Sequence, residues 1–149
     1  MSYKGKFKPV NYKKYEGNPN DIVYRSLLEL RLMKYCDHNE NVISWSNENV
    51  VVPYKSPVDS KWHRYFVDFL VTVKQKDNSF ETYLIEVKPE SQTKPPVQPK
   101  DNRGKQRYLK EAATYAVNEA KWNAALKLCE KKGWKFKIMT EKTLGVGTS

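Results

Sequence analysis

The sequence predicts a domain in which helices pack on a β-sheet. The first observation is the order of elements: a helix-like segment, several strand-like runs, a long helical segment and a last strand. The second is periodicity, because residues 64–74 and 80–88 are apolar runs joined by a polar turn. Together they predict a layered domain of the α/β or α+β class.

Length and composition favour one domain that handles a polyanion. The 149 residues can bury a core without disulfides, and Cys36 and Cys129 are expected to be reduced core thiols. Lys and Arg number 27 against 17 Asp and Glu, which gives a net charge of +10. That charge favours a partner such as nucleic acid. The alternative is a soluble protein that is basic without a polyanionic partner.

Residues 1–20 are predicted to form a basic N-terminal arm, followed by a single domain over residues 21–149. The arm holds five lysines and three tyrosines and has no periodic apolar face. It could lie on DNA, dock on a partner protein or act only as a solubilising tail. The opening residues lack an apolar signal segment, and no run approaches the ~20 apolar residues of a membrane span. We therefore expect a soluble protein of the reducing cytoplasm with no membrane partner.

The first helix is predicted to start at an N-cap, Asn20 or Asp21, and to run to about residues 35–36. Glu29 falls inside its apolar face, where a carboxylate needs a partner. One hypothesis is that Glu29 reaches a metal cluster or orients a water. The alternative is a core salt bridge, for instance with Arg25.

The next residues predict strands. Two short strands are expected at 42–45 and 50–54, with "SNEN" as the turn between them. In the two stronger strands that follow, Asp68 and Glu86 each interrupt or end an apolar run. If this hairpin pairs symmetrically about Asp77, the two acids lie directly opposite, with Cβ atoms ~4.5–5.5 Å apart. The register is a hypothesis, since a slip of one residue would put the acids on opposite faces.

Two adjacent carboxylates in a partly buried sheet repel each other, and burial makes each charge costly. A divalent cation removes both penalties, and Mg²⁺ typically takes one or two protein carboxylates, with water and phosphate completing its shell. Lys88 shares a face with Glu86 and could hold the attacking water or stabilise charge on the phosphate. The alternative is an ordinary hairpin with exposed acids, because this spacing of two acids and a lysine is common by chance.

Residues 88–105 contain four prolines and no apolar pattern, and we call them the proline-rich loop. Residues 104–131 predict one long helix, or two with a break near Asn118, ended by Gly133. Cations in the loop, at the start of this helix and before the first acidic strand are candidate nucleic-acid contacts, and the alternative for each is a solvated surface charge. They are Lys61, Arg64, Lys94, Lys100, Lys105, Arg107 and Lys110. The tryptophans are expected to pack in the core or at edges rather than stack on bases, namely Trp45, Trp62, Trp122 and Trp134.

The run Glu29…Asp68…Glu86-Val87-Lys88 resembles the PD-(D/E)xK nuclease superfamily. The segments "YRSLLELRL", "SW", "VVPY", "RYFVDFLV", "YLIEVKP" and "ALKLCEKKGWKFKIMTEKTL" are similar, in order, to the TnsA-like endonuclease domains of transposons and phages. The resemblance covers about residues 21–144. One departure is Val67, which stands where the motif has proline.

This resemblance implies a restriction-endonuclease-like αβββαβ core, with a mixed central sheet flanked by helices. It also implies a DNA endonuclease that depends on Mg²⁺, with Mn²⁺ as an alternative. The catalytic residues would then be Glu29, Asp68, Glu86 and Lys88. Asp68 and Glu86 would be the metal ligands, Lys88 would position or activate the water, and Glu29 would complete the acidic set.

The similarity to phage members further implies action on packaged double-stranded DNA ends during head completion. The implied partners are head, portal or neck proteins, and the implied location is the host cytoplasm during assembly, with association with the virion. A competing hypothesis is a catalytically silent DNA-binding protein that caps the DNA-filled head, and a third is an RNA-binding or RNA-processing domain. The sequence leaves the oligomeric state open. A monomer with one active site would nick one strand, whereas a dimer could cut both strands.

Overall fold

A mixed four-stranded sheet forms the centre of the molecule and has helices on both faces. The computed structural model describes residues 4–144, which form six strands and three α-helices. Within this range no helix is both long enough and apolar enough to cross a membrane. The strands are β1 (Gly5–Lys6), β2 (Val23–Tyr24), β3 (Val42–Lys55), β4 (Trp62–Lys74), β5 (Phe80–Val87) and β6 (Lys135–Met139). The helices are α1 (Leu27–His38), α2 (Lys105–Lys132) and α3 (Glu141–Leu144).

The sheet order is β3-β4-β5-β6, with antiparallel pairs except for β6, which runs parallel to β5. A parallel neighbour requires a long crossover, and the proline-rich loop and α2 provide it. The predicted α/β class and the order αβββαβ are confirmed, with the mixed sheet that the resemblance implied. The long helix is continuous, and Gly133 ends it with a left-handed φ of 74°.

Each face of the sheet carries its own apolar core. On one face, Leu32 and Cys36 of α1 pack with Ile85 and other strand residues. On the other face, Cys129 of α2 packs with Leu84. Consecutive residues of β5 therefore serve opposite cores, which explains the unbroken apolar run in the sequence. Both cysteines are free and buried, as predicted.

The first helix starts later than predicted. Its N-cap is Ser26, whose hydroxyl accepts a hydrogen bond from the Glu29 backbone N–H at 3.1 Å. The predicted start at Asn20 or Asp21 is wrong, because Val23–Tyr24 is extended and pairs with Gly5–Lys6. That pairing joins distant residues, so helical periodicity could not reveal it.

The described part of the basic arm lies against the domain. Phe7 is buried in the α1 core, and the backbone N–H groups of Val10 and Asn11 each donate to the buried Asp37 carboxylate at 2.8 Å. The Lys14 ammonium donates to carbonyls at the end of α1, the shortest bond being 2.7 Å to Asn39. A cation at this end of α1 also interacts favourably with the negative end of the helix dipole. Residues 1–3 of the arm lie outside the described residues, and the boundary at residue 20 stays a prediction.

A bulge in β3 changes the course of the sheet beside Asp68. Between the pairs Asn47–Phe69 and Val50–Val67, β3 has one residue more than β4. Phe69 belongs to the α1 core, whereas Val67 belongs to the α2 core. The predicted turn "SNEN" is therefore wrong, because residues 46–49 lie within one long strand, in which Glu48 and Asn49 form this bulge.

The carboxyl end of β5 is held mainly by β6. Glu86 pairs with Ile138 and Val87 pairs with Met139 in the parallel ladder. On the other side, the Val87 backbone N–H donates to the Asp68 carboxylate at 2.8 Å. The two residues that end β5 are therefore fixed by a strand from the end of the domain and by one acidic side chain.

Candidate active site

The β4–β5 hairpin brings the two predicted acidic ligands together. Its ladder runs from Lys74–Phe80 to Phe69–Ile85, which is symmetric about Asp77 as predicted. One further step in the same register places Asp68 beside Glu86. The predicted register is confirmed, and both carboxylates lie on the face of the sheet that carries α2.

The pair is poorly suited to carry two negative charges by itself. Glu86 is only 5% exposed, and Asp68 is partly buried. Burial raises the pKa of Asp68, and the charge of Glu86 raises it further, against a lowering by the Val87 N–H. Without a cation, Asp68 therefore favours its protonated form at neutral pH.

Lys88 joins this pair at its edge. Its ammonium nitrogen lies 4.0 Å from Glu86 Oε2, and its side chain is 24% exposed. The backbone N–H of Lys88 donates to the Met139 carbonyl at 3.0 Å, which extends the β5–β6 pairing to this residue. The structure thus places a fixed positive charge where the buried acids approach solvent.

Glu29 lies near the pair but mainly caps its own helix. Its carboxylate accepts from the Arg25 backbone N–H at 3.3 Å and from the Ser26 hydroxyl at 3.4 Å. Burial raises the pKa of Glu29, and its charge contributes to the raised pKa of Asp68. Within residues 4–144, no three His, Cys, Asp or Glu side chains gather as ligands of one ion. The role of Glu29 in the acidic set stays a prediction.

The alternative salt bridge between Glu29 and the Arg25 side chain is wrong. The Arg25 guanidinium instead pairs with Glu48, with Nε 2.7 Å from Oε1. Glu48 lies in the bulge and has a φ of 50°, a left-handed conformation that is uncommon for a residue other than glycine. The ion pair links the entrance of α1 to the bulge that faces Asp68.

Sequence reasoning missed Tyr65. This residue is 4% exposed, and its buried hydroxyl lies near the Glu86 carboxylate without forming a well-aligned hydrogen bond. Burial raises its pKa, as do the neighbouring charges of Glu86 and Asp68. The Lys121 ammonium of α2 lies 5.5 Å from the centre of its ring. Strict alternation of side chains along β4 would place Tyr65 and Asp68 on opposite faces of the sheet. The irregularity at the bulge places them on the same face.

The seven cations predicted to contact nucleic acid fall into three groups. The first lines a cavity between the proline-rich loop and α2, the second lines a smaller cavity nearby, and the third lies at the start of β4. In that order, they are Lys94, Arg107 and Lys110; Lys100 and Lys105; Lys61 and Arg64. Their contact with nucleic acid stays a prediction.

Core packing of the tryptophans is confirmed for Trp45 and Trp122, which are 1% and 7% exposed. Trp134 is partly buried against the α2 core, whereas Trp62 is not in the core and is 70% exposed at the end of the β3–β4 hairpin. The neighbouring Arg64 guanidinium lies 5.5 Å from the centre of the Phe66 ring. The hairpin therefore presents exposed aromatic and cationic side chains together.

Residues 39–141 match the family described as the TnsA-like endonuclease, N-terminal domain. The chain belongs to this family, and Asp68, Glu86 and Lys88 all lie within the matched residues. It is also similar to the head completion nuclease of Enterobacteria phage T4. The two are 41% identical over 143 residues, which cover 95% of this chain and 93% of the phage protein.

Proposed function

We propose that this protein is a divalent-metal-dependent endonuclease that cleaves DNA during phage head completion. The observation that carries the proposal is the position of the partly buried Asp68 carboxylate beside the buried Glu86 carboxylate, with Lys88 at their edge. Membership of the TnsA-like endonuclease family and the name of the phage T4 relative support it.

The carboxylate pair fits a divalent cation. Burial and mutual repulsion make two neighbouring negative charges unfavourable, and a cation with a charge of two offsets both effects. Asp68 and Glu86 would hold the ion, and their oxygen atoms suit Mg²⁺ or Mn²⁺. When bound, the ion supplies positive charge to the scissile phosphate and lowers the pKa of water.

The residues around the pair orient it and add charge. The Val87 N–H holds one oxygen of Asp68, so the carboxylate cannot rotate freely. Lys88 can donate to a phosphate oxygen or hold the attacking water, because its ammonium lies at the exposed edge of the pair. Both groups are already in position before the reaction begins, so they need not rearrange during it.

The biological setting is proposed from the relative. Its name places a nuclease in head completion, so we propose double-stranded DNA at the packaged end as substrate. Head, portal or neck proteins are the proposed partners. The proposed location is the host cytoplasm during assembly, in association with the virion.

The first experiment compares purified wild type with Asp68→Asn and Glu86→Gln on supercoiled and linear DNA. We expect wild type to cut with Mg²⁺ or Mn²⁺ and not with EDTA. Each substitution removes a metal-binding charge and should lower the rate at least about 100-fold. Asp77→Asn is the matched control, since it changes an exposed carboxylate at the hairpin turn and should keep full activity.

Two outcomes would contradict the proposal. If Asp68→Asn and Glu86→Gln cut as fast as Asp77→Asn, the carboxylate pair is not the catalytic centre. If wild type binds DNA but cuts with neither metal, the competing hypothesis of a silent capping protein takes its place.

A further inference from the structure

A cavity of about 600 Å³ lies between the proline-rich loop and the first half of α2, and we call it the α2 cavity. Its lining includes the cations Lys94, Arg107 and Lys110, together with Tyr115 and Asn118. The proposed phosphodiester chemistry does not use Lys110, Tyr115 or Asn118. The cavity is therefore a second feature of the molecule that can hold a ligand.

The α2 cavity adjoins the candidate active site along the sheet. Ser91 and Gln92 form part of its wall, and they follow Lys88 by only three and four residues. β5 carries Glu86, and the chain continues from it through Lys88 to the wall of the cavity.

The α2 cavity also adjoins the site along the helix. Asn118 and Lys121 are three residues apart on α2, so they share one face. The Lys121 ammonium lies over the ring of Tyr65, whose hydroxyl is beside Glu86. One face of α2 therefore lines the cavity at Asn118 and, about one turn further on, covers Tyr65 beside the carboxylate pair.

The lining combines positive charge with a fixed aromatic ring. Trp122 holds the Tyr115 ring edge-on, with centroids 6.0 Å apart and planes at 82°. Glu111 accepts from Arg107 Nε at 2.8 Å, which leaves the other guanidinium nitrogens free to donate to a phosphate. Cations that follow a phosphate backbone, with an aromatic ring on which bases stack, are typical of sites for single-stranded nucleic acid.

The size of the α2 cavity excludes a duplex. It lies in the ordinary range of small-ligand pockets. The major groove of B-DNA alone is about 12 Å wide, so a whole duplex is far larger than this space. Unpaired nucleotides can enter, and the Asn118 amide can then bond a base edge that pairing would otherwise hide.

We infer that the α2 cavity binds unpaired nucleotides next to the scissile phosphate, so that the preferred substrate is DNA with a single-stranded tail at its end. This inference rests on the proposed function and narrows its substrate class. The unpaired strand would place its phosphates on the cations and a base on Tyr115.

The test measures DNA binding rather than cleavage. Full-length Asp68→Asn protein is titrated, by fluorescence anisotropy in EDTA, into a blunt duplex and into the same duplex with an unpaired tail. We expect the tailed duplex to bind more tightly. Tyr115→Ala in the same background should lose about 5- to 150-fold of affinity for the tailed duplex, the range for one stacked base, and keep its affinity for the blunt one.

Two further variants separate stacking from folding. Lys110→Gln changes only an exposed cation of the cavity, and it should also reduce the preference for the tail. Tyr35→Ala removes an exposed aromatic ring from α1 and should leave both affinities unchanged. Circular dichroism of each variant checks the helices.

Equal affinity of the Asp68→Asn protein for tailed and blunt duplexes would overturn the inference. So would equal loss of both affinities in folded Tyr115→Ala. If that variant does not fold, an unchanged tail preference in Lys110→Gln overturns it. Because no step requires cutting, a preference for tailed DNA without nuclease activity in wild type would contradict the proposed function alone.

Discussion

Asp68 is a carboxyl group whose surroundings in the folded protein differ strongly from water. Burial and the charge of Glu86 raise its pKa, so the folded protein holds a proton that the unfolded chain releases near pH 4. The contribution of this carboxyl to stability is complete below the unfolded pKa. It decreases as pH rises towards the raised folded pKa. A bound cation reverses that trend.

Asp68→Asn should therefore stabilise the metal-free protein. The substitution keeps the size of the side chain and removes the buried charge, so we expect a gain of about 1–3 kcal/mol near pH 8 and a smaller gain near pH 5. Urea unfolding in EDTA at both pH values measures it. Asp77→Asn should change little, and a less stable Asp68→Asn protein near pH 8 would show that the carboxylate pair is not strained.

Tyr65→Phe should weaken metal binding while leaving the fold intact. The hydroxyl lies beside Glu86, and groups that orient a ligand commonly affect metal affinity or activity by about 10–100-fold. We expect cleavage to need a higher Mg²⁺ concentration. The control is Tyr54→Phe, which removes a hydroxyl from the other ring near Lys121. Identical metal titrations for the two variants would exclude a role for Tyr65.

At the scale of elements, local patterns predicted what local contacts determine. The β4–β5 hairpin follows from two alternating runs about a polar turn, and so the pairing of Asp68 with Glu86 was within reach of the sequence. The start of α1 was not, because β2 is extended only through its pairing with β1. Tyr65 lies near Asp68 because of a bulge in the neighbouring strand β3. The apolar periodicity of β4 itself gives no sign of that bulge.

The contact of the arm with α1 gives an element-scale prediction. Asp37→Ala removes a buried acceptor from the N–H groups of Val10 and Asn11. We expect the free energy of unfolding to decrease by about 1.5–3 kcal/mol and trypsin to cut faster at Lys13.

Asp21→Ala is the control for this arm variant. Asp21 and Lys6 form an exposed pair at 3.8 Å, and such pairs add little to stability. Trypsin cleavage at the wild-type rate in Asp37→Ala would show that the arm does not depend on this contact.

At the scale of the whole molecule, a net charge of +10 predicts DNA binding that weakens steeply with salt. Replacing Lys61 and Arg64 with Gln should reduce the slope of log affinity against log salt by about 0.9 for each phosphate that the variant no longer neutralises. The matched control is the Arg31→Gln and Lys34→Gln double variant, which removes the same charge from exposed positions on α1. Equal slopes for the two double variants would show that overall charge, rather than the hairpin, controls binding.

On the proposed function, the pairing of Glu86 and Val87 with β6 determines when the chain acquires nuclease activity during synthesis. The flanking strand spans Lys135–Met139, so the chain must be made at least to Met139 and leave the ribosome before the carboxylate pair has its final surroundings. A chain that stops before Lys135 lacks that strand, and we expect it to bind no divalent cation. On the proposed function, unfinished chains are harmless to the DNA around them.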